Sequence, residues 1–188
     1  ECKLQEYSVD YGKSESRFVE PKVHKPKRVD LGPRIVLDDE RCILCTRCIR
    51  FTKDIAGDDA LGIVNRGSYN TITAFPGKQF DNNYTLNTVD ICPVGALTSA
   101  SYRFRSRPFD LMSTDTTCEH CSSGCSLRAD WRRGKITRRL AGDSPEVNEE
   151  WNCDKGRWAF HYATQRDRLT TPLVRDESGH LVEASWPE

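Results

Sequence analysis

Hydrophobic residues along this chain come in short runs set between long polar stretches. Ile35-Val36-Leu37 is apolar throughout and meets Asp38-Asp39, which predicts a short buried strand ending in a turn. Leu61 to Val64 and Thr71 to Phe75 predict two strands around an Asn65-Arg66-Gly67 turn. Leu127 to Trp131 and Lys135 to Leu140 flank Arg133-Gly134 and predict a β-hairpin. Leu173 to Val182, around Asp176-Glu177-Ser178-Gly179, predicts another. Helical spacing is sparser. Thr46 to Ile55, with Ile49 and Phe51 apolar, predicts a short helix, residues 84–91 a helical turn, and Lys155 to Tyr162 a helix with Trp158 and Tyr162 on one face. Residues 1–34 are polar, with an extended linker from Phe18 to Lys27, and Arg103 to Pro108 is a basic connector. No repeat of fixed period is present.

These short elements supply little core. Of 188 residues, 37% are hydrophobic and 30% charged, a balance that calls for disulfide or metal staples. Nine cysteines are available, an odd number, and six of them fall in two tight groups of three. That clustering favours metal over a disulfide scaffold. The 28 basic and 28 acidic residues cancel, which argues against a nucleic-acid binder. No apolar run reaches the roughly 18 residues of a membrane span, so no direct membrane insertion is expected. Near the end, Ser185 and Glu188 have capping-box spacing with Pro187 between them, which predicts a helix continuing in a longer natural chain.

Cys42, Cys45 and Cys48 form a C-x2-C-x2-C loop, and Cys92-Pro93 lies far downstream. Three thiolates in one short loop wrap one corner of a cubane, backbone N–H groups stabilise its sulfurs, and a remote Cys-Pro supplies the fourth ligand. Zinc prefers paired thiols to three in one loop. A two-cluster ferredoxin would place further cysteines four residues after Cys48 and at set intervals before Cys92. Those positions hold Thr52, Asn82, Thr85 and Thr88, so one cluster of such a pair is missing while the ligands of the other are complete.

Cys118, Cys121 and Cys125 form C-x2-C-x3-C, and Cys153 follows in Cys153-Asp154-Lys155-Gly156. The count is again three plus one, and Gly124 lets the backbone approach a metal closely. A zinc ribbon drawing on the same thiols or His120 is the other reading of this spacing. Four thiols already close the shell, which leaves His120 as a loop residue. His24, His161 and His180 have no metal spacing.

Together these motifs resemble the large iron–sulfur subunit of the proton-pumping NADH:quinone oxidoreductases, respiratory complex I, over essentially the whole chain. The resemblance implies an α+β fold with a ferredoxin-like 4Fe–4S region (residues 35–110) followed by a small β-rich 4Fe–4S domain of the molybdopterin-oxidoreductase type (residues 111–167). Residues 1–34 resemble the end of an upstream cluster domain with one His and three Cys ligands, plus a linker. Cys2, in Glu1-Cys2-Lys3-Leu4-Gln5, is then the last ligand of that third, incomplete cluster site. Residues 168–188, with Arg168 to Leu173 and Ala184-Ser185-Trp186, resemble the start of a truncated pterin-type domain.

The resemblance further implies two 4Fe–4S clusters, on Cys42, Cys45, Cys48 and Cys92 and on Cys118, Cys121, Cys125 and Cys153, with Arg47 and Arg50 favouring the reduced form of the first. It implies electron transfer from NADH-reduced flavin toward quinone, with the second cluster off the main path and no molybdenum in the pterin-type domain. The implied partners are the flavin subunit and the quinone-side cluster subunits, on the cytoplasmic face of the membrane. An NAD-linked, molybdopterin-dependent formate dehydrogenase is the alternative. It shares the domain order, and Lys155 stands where such enzymes relay between cluster and pterin, but that family keeps both ferredoxin clusters. No Gly-rich dinucleotide loop and no catalytic constellation is visible in the sequence, so the expected role is electron transfer without substrate chemistry.

Overall fold

The computed structural model describes residues 2–13 and 15–187. Glu1, which opens the Cys2 motif, and Glu188, the last position of the terminal capping-box spacing, lie outside the described residues. The chain forms two compact units, Glu1–Trp158 and Ala159–Glu188. Short helices and small antiparallel sheets are mixed throughout, an α+β arrangement. Among the described residues no helix is long and apolar enough to cross a membrane.

In the first unit, helix α1 (Lys3–Tyr11) and strand β1 (Val29–Leu31) lie on either side of the predicted Phe18–Lys27 linker, in polar stretches whose sequence predicts no element. β1 pairs with β2 (Ile35–Leu37), and β2 pairs with β5 (Leu97–Ser99), giving the order β1-β2-β5. β2 is buried at every position because it is the middle strand, which explains its unbroken apolar run. The predicted helix from Thr46 is shorter and tighter at first, α2 (Arg47–Arg50), then widens into a π-helical turn over Phe51–Ile55. Thr52 causes no break there. Its hydroxyl donates to the carbonyls of Cys48 and Ile49 at 3.0 and 2.9 Å.

β3 (Leu61–Val64) pairs with β4 (Thr71–Ala74) as predicted, and α3 (Asn87–Ile91) leads directly into Cys92. Ile35, Leu37, Leu61, Ile72, Phe80, Leu86 and Leu97 form the shared core. Each such side chain contributes roughly 1.5–3 kcal/mol of burial free energy. Cys42, Cys48 and Cys92 pack against this core, so the thiols are part of its wall.

β6 (Met112–Thr117), β7 (Ser126–Arg132) and β8 (Lys135–Ala141) form a second meander, its β7–β8 turn at Arg133-Gly134, both with positive φ. Buried Asp130 on β7 accepts from Ser113, Arg128 and Arg138 at 2.8, 3.2 and 2.6 Å. The predicted helix after Cys153 is divided between the two units. Its first part is α4 (Asp154–Trp158), and a 3-10 stretch, Ala159–Thr164, opens the second unit. β9 (Leu173–Arg175) and β10 (Leu181–Glu183) complete the second unit as the expected hairpin.

The sheet formed by β6, β7 and β8 and the helix α4 are bolted to the ferredoxin-like part by buried polar groups. The Asp154 carboxylate accepts from Thr85 Oγ1 at 2.6 Å and from the Leu86 N–H at 3.0 Å. The Asn87 amide accepts from the Asn152 N–H at 3.1 Å and donates to the Asn152 carbonyl at 2.8 Å. Arg157 donates to Asn87 Oδ1 and pairs with Asp90, each at 2.6 Å. Phe51 meets Trp151 at 4.9 Å between ring centroids, and Arg138 lies over the Tyr102 ring.

Asn87 is fully buried and serves three partners at once. Removing one member of such a set strands the others. Asn87→Ala is expected to cost about 3 kcal/mol, seen as a lower urea midpoint of the anaerobically purified protein. An unchanged midpoint would show that the bolt contributes nothing.

Candidate metal centres

All four thiols of the first set line one hollow, together with Leu37, Ile72 and Pro93. The Cys42–Cys48 loop reaches it through two residues in the left-handed region, Leu44 at φ 56° and Thr46 at φ 61°. That conformation costs a non-glycine residue roughly 1–2 kcal/mol. Local hydrogen bonds hold it: Thr46 Oγ1 donates to the Cys45 carbonyl at 2.7 Å, and Arg50 Nη1 reaches the same carbonyl at 3.1 Å and Thr46 Oγ1 at 2.6 Å. Arg50 therefore braces the loop as well as bringing positive charge to it. Cys92 arrives from the end of α3, and Gly95, at φ 59°, turns the chain toward β5.

Burial pushes the Cys42 thiol up, opposed by a backbone hydrogen bond from Leu44. Burial pushes Cys48 up to about 12, opposed by a backbone hydrogen bond from Ile49. Each is also raised by the neighbouring thiols, because ionising one makes the next harder to ionise. Cys45 is the exposed member of the set.

The second set is carried on the loop between β6 and β7. The Cys118 N–H donates to the Cys125 carbonyl at 2.8 Å and closes that loop, while Gly124 takes φ 61° inside it. Cys153 stands immediately before α4, and the Gly156 N–H donates to its Sγ at 3.3 Å. Cys125 is raised first by burial and then by Cys118, Cys121 and Cys153, the three thiols it faces. Exposed Cys121 is shifted the other way, chiefly by hydrogen bonds from the Ser123 side chain and backbone, with the Lys155 ammonium helping. Arg139 clasps Glu119 through two bonds of 3.0 and 2.9 Å and so ties the loop to β8. His120 lies beside Glu119, with 3.7 Å between Nε2 and Oε1.

Both donor sets suit a polynuclear group. One zinc ion would draw its thiolates to about 2.3 Å from a common point. In the first set four sulfurs surround a hollow, with backbone N–H groups of Leu44 and Ile49 bonded to Cys42 and Cys48, and in the second the Gly156 N–H donates to Cys153; both suit a cluster in which each iron takes one thiolate.

Cys2 belongs to neither set. It caps α1 and opens on a separate groove lined by Tyr102, Arg103, Arg105 and Arg132. The four positions where ferredoxin spacing asks for cysteine are otherwise engaged. Thr52 bonds its own helix, Asn82 donates to Asp58 at 2.6 Å, Thr85 donates to Asp154, and Thr88 donates to the Thr85 carbonyl at 2.7 Å. Residues that spacing does not reveal are Asn87, Asn152, Asp154 and Arg157, which join the two centres' supports. Their only trace in the sequence is polar side chains beside the cysteines.

Residues 32–98 match the ferredoxin-like domain of NADH-quinone oxidoreductase subunit 3, and residues 111–165 match the molybdopterin oxidoreductase Fe4S4 domain. The chain is 55% identical to the G subunit of the NADH-quinone oxidoreductase of Streptomyces coelicolor, with 100% of this chain aligned to 22% of that protein. It is 54% identical to the G subunit of the Mycobacterium tuberculosis enzyme, covering 99% of this chain and 23% of that protein. Identity to NADH-quinone oxidoreductase subunit 3 of Thermus thermophilus is 41%, over 100% of this chain and 25% of that protein. The chain thus spans a quarter or less of the length of these relatives. With two matched domains, one of them the Fe4S4 type, and similarity along its whole length, the chain belongs to the family formed by the G subunit and subunit 3 of NADH-quinone oxidoreductases and binds 4Fe–4S iron–sulfur clusters.

Proposed function

We propose that this chain is an electron-transfer segment of NADH:quinone oxidoreductase, complex I, relaying electrons from NADH-reduced flavin toward quinone. Two separate three-plus-one thiol sets within one compact unit carry this reading, beside relatives that bear the NADH-quinone oxidoreductase name. Those names leave the formate dehydrogenase alternative without support. A 4Fe–4S cluster supplies reversible one-electron storage when bound. Cys42, Cys45, Cys48 and Cys92 would hold the first, and Cys118, Cys121, Cys125 and Cys153 the second. Cys2 would be one ligand of a third cluster site. The functional division follows: residues 1–34 serve the upstream site, 35–110 the first centre, 111–167 the second, and 168–188 open a pterin-type domain.

The protein's own groups set the electron traffic. Apolar Leu37, Ile72 and Leu97 keep water from the first centre, which limits reorganisation when charge arrives. Arg50, braced on the Cys45 carbonyl, and neighbouring Arg47 place positive charge at the first loop, which favours its reduced state. The exposed Cys45 edge is the face from which a partner's redox group is reached. The partners are the flavin subunit and the quinone-side cluster subunits of the peripheral arm, on the cytoplasmic side of the membrane. The second centre lies on a side path and acts mainly as a staple.

Paired variants in the assembled complex test this reading. Cys45→Ala is expected to abolish NADH:quinone electron transfer. Cys121→Ala, in complexes shown to assemble, is expected to leave turnover largely intact. Complete loss of turnover in an assembled Cys121→Ala complex would contradict the side-path role, and normal turnover in Cys45→Ala would contradict the relay itself.

Cluster ligation also carries a pH signature. Without metal, Cys48 is a buried neutral thiol whose value rises from 9.0 to about 12 on folding. A raised acid stabilises the apo fold fully below about 9 and loses that contribution as pH climbs toward 12. The apo protein should therefore lose stability between these values, by circular dichroism in urea, while the loaded protein, with its thiols already ionised on metal, changes far less. Equal alkaline loss in both forms would contradict ligation by Cys48.

A further inference from the structure

Asn152 is 2% exposed, yet neither end of its side-chain amide has a hydrogen-bond partner among the described residues. A buried amide left in that state destabilises the fold, so its retention calls for a partner of another kind. Its backbone, in contrast, is held firmly. Asn87 bonds both the N–H and the carbonyl of Asn152, and Arg157 holds Asn87 in place while paired with Asp90. The backbone is fixed from the ferredoxin-like side, while the side-chain amide has no hydrogen-bond partner among the described residues.

Beside it lies Cys118 of the second thiol set. A Cβ built on Gly156 would lie 2.7 Å from Asn152 Oδ1, 3.1 Å from Asn152 Nδ2 and 3.2 Å from Cys118 Sγ. The amide and the sulfur therefore converge over the Gly156 Cα, and only glycine leaves that space open. The N–H of the same glycine donates to Cys153 Sγ. Once ligated, the sulfurs here only accept hydrogen bonds, so the amide can pair with them only through its N–H.

We infer that Asn152 is a hydrogen-bond donor to the second iron–sulfur centre on its Cys118 side, and that Asn87 of the ferredoxin-like part is the positioning residue that aims it. This rests on Cys118, Cys121, Cys125 and Cys153 being the ligands of that centre. A hydrogen bond to a cluster sulfur stabilises the reduced, more negative state and raises the reduction potential. The potential of the second centre is in this way tied to the packing of the first.

The test is a redox titration, followed by EPR, of the cluster-loaded protein purified anaerobically. Asn152→Leu keeps the branched shape, at a larger volume, and removes the N–H. Iron content is expected to stay unchanged while the second centre's equilibrium shifts about tenfold toward the oxidised form, equal to about 59 mV for one electron. The first centre should not move, and Asn87→Ala should shift the second centre in the same direction. A second measurement needs no substitution. Pulsed EPR of the reduced second centre, in protein carrying nitrogen-15 in its asparagine amides, should show a weakly coupled nitrogen. A loaded Asn152→Leu protein with an unchanged potential, or a second-centre signal without that coupling, would overturn the inference and leave the ligand assignment standing. An unsubstituted protein with a first-centre signal and no second would remove the ligand assignment and the inference with it.

Discussion

A thiol set into an apolar wall packs well while neutral, but the thiolate that ligates a metal is costly there unless a cation offsets its charge. In the first domain Cys42, Cys48 and Cys92 pack directly on the core formed by Ile35, Leu37, Phe80 and Leu97, and burial drives Cys48 up to about 12. A metal group with a charge to offer each sulfur resolves that conflict, so ligand binding and folding become one free energy. The backbone is arranged around the same demand. β2 and β5 pair so that a remote Cys92 can meet a loop starting at Cys42, and two left-handed residues are tolerated so that the loop can close. A polar chain with short elements folds in this way because its staples stand where larger proteins place more core.

The second constraint is the joint between the two cluster-bearing parts. Where a two-cluster ferredoxin spacing asks for thiols, this chain has Asn82, Thr85 and Thr88, and the neighbouring backbone and amides turn outward to engage Asp154, Asn152 and Arg157. The region of the missing centre has become a socket for α4. A buried polar joint of this kind holds a defined geometry better than an apolar one, because misalignment leaves each group without a partner. Electron transfer rewards such definition, and at the end of the joint the Asn152 amide and the Cys118 sulfur both border Gly156.

Much of this was legible in the sequence, for identifiable reasons. Cysteine spacing is local chemistry, and the two three-plus-one sets could be read from Cys42 to Cys153 without knowing any contact. Hairpins announced themselves through Arg133-Gly134 and Ser178-Gly179 because positive φ needs particular residues. Other elements gave no such signal. β6 reads Met-Ser-Thr-Asp-Thr-Thr, exposed at every position, and exists because β7 offers it a ladder rather than because its own side chains alternate. α1 has a weak apolar face in a polar stretch, and its sequence predicts no helix. Asn87 and Asn152 lie far apart in sequence, and an amide pair has no periodicity to reveal it. Cys2 kept its expected separation from both sets only in the sense that it opens on a different groove.

The central claim, that both thiol sets hold clusters rather than single ions or free thiols, is tested most directly by elemental analysis. Protein purified anaerobically, with Cys2 replaced by Ser so that no third site contributes, should contain about eight irons and eight sulfides per chain, from two cubanes each held by four cysteines. A value near four irons, or zinc in stoichiometric amount, would contradict the account.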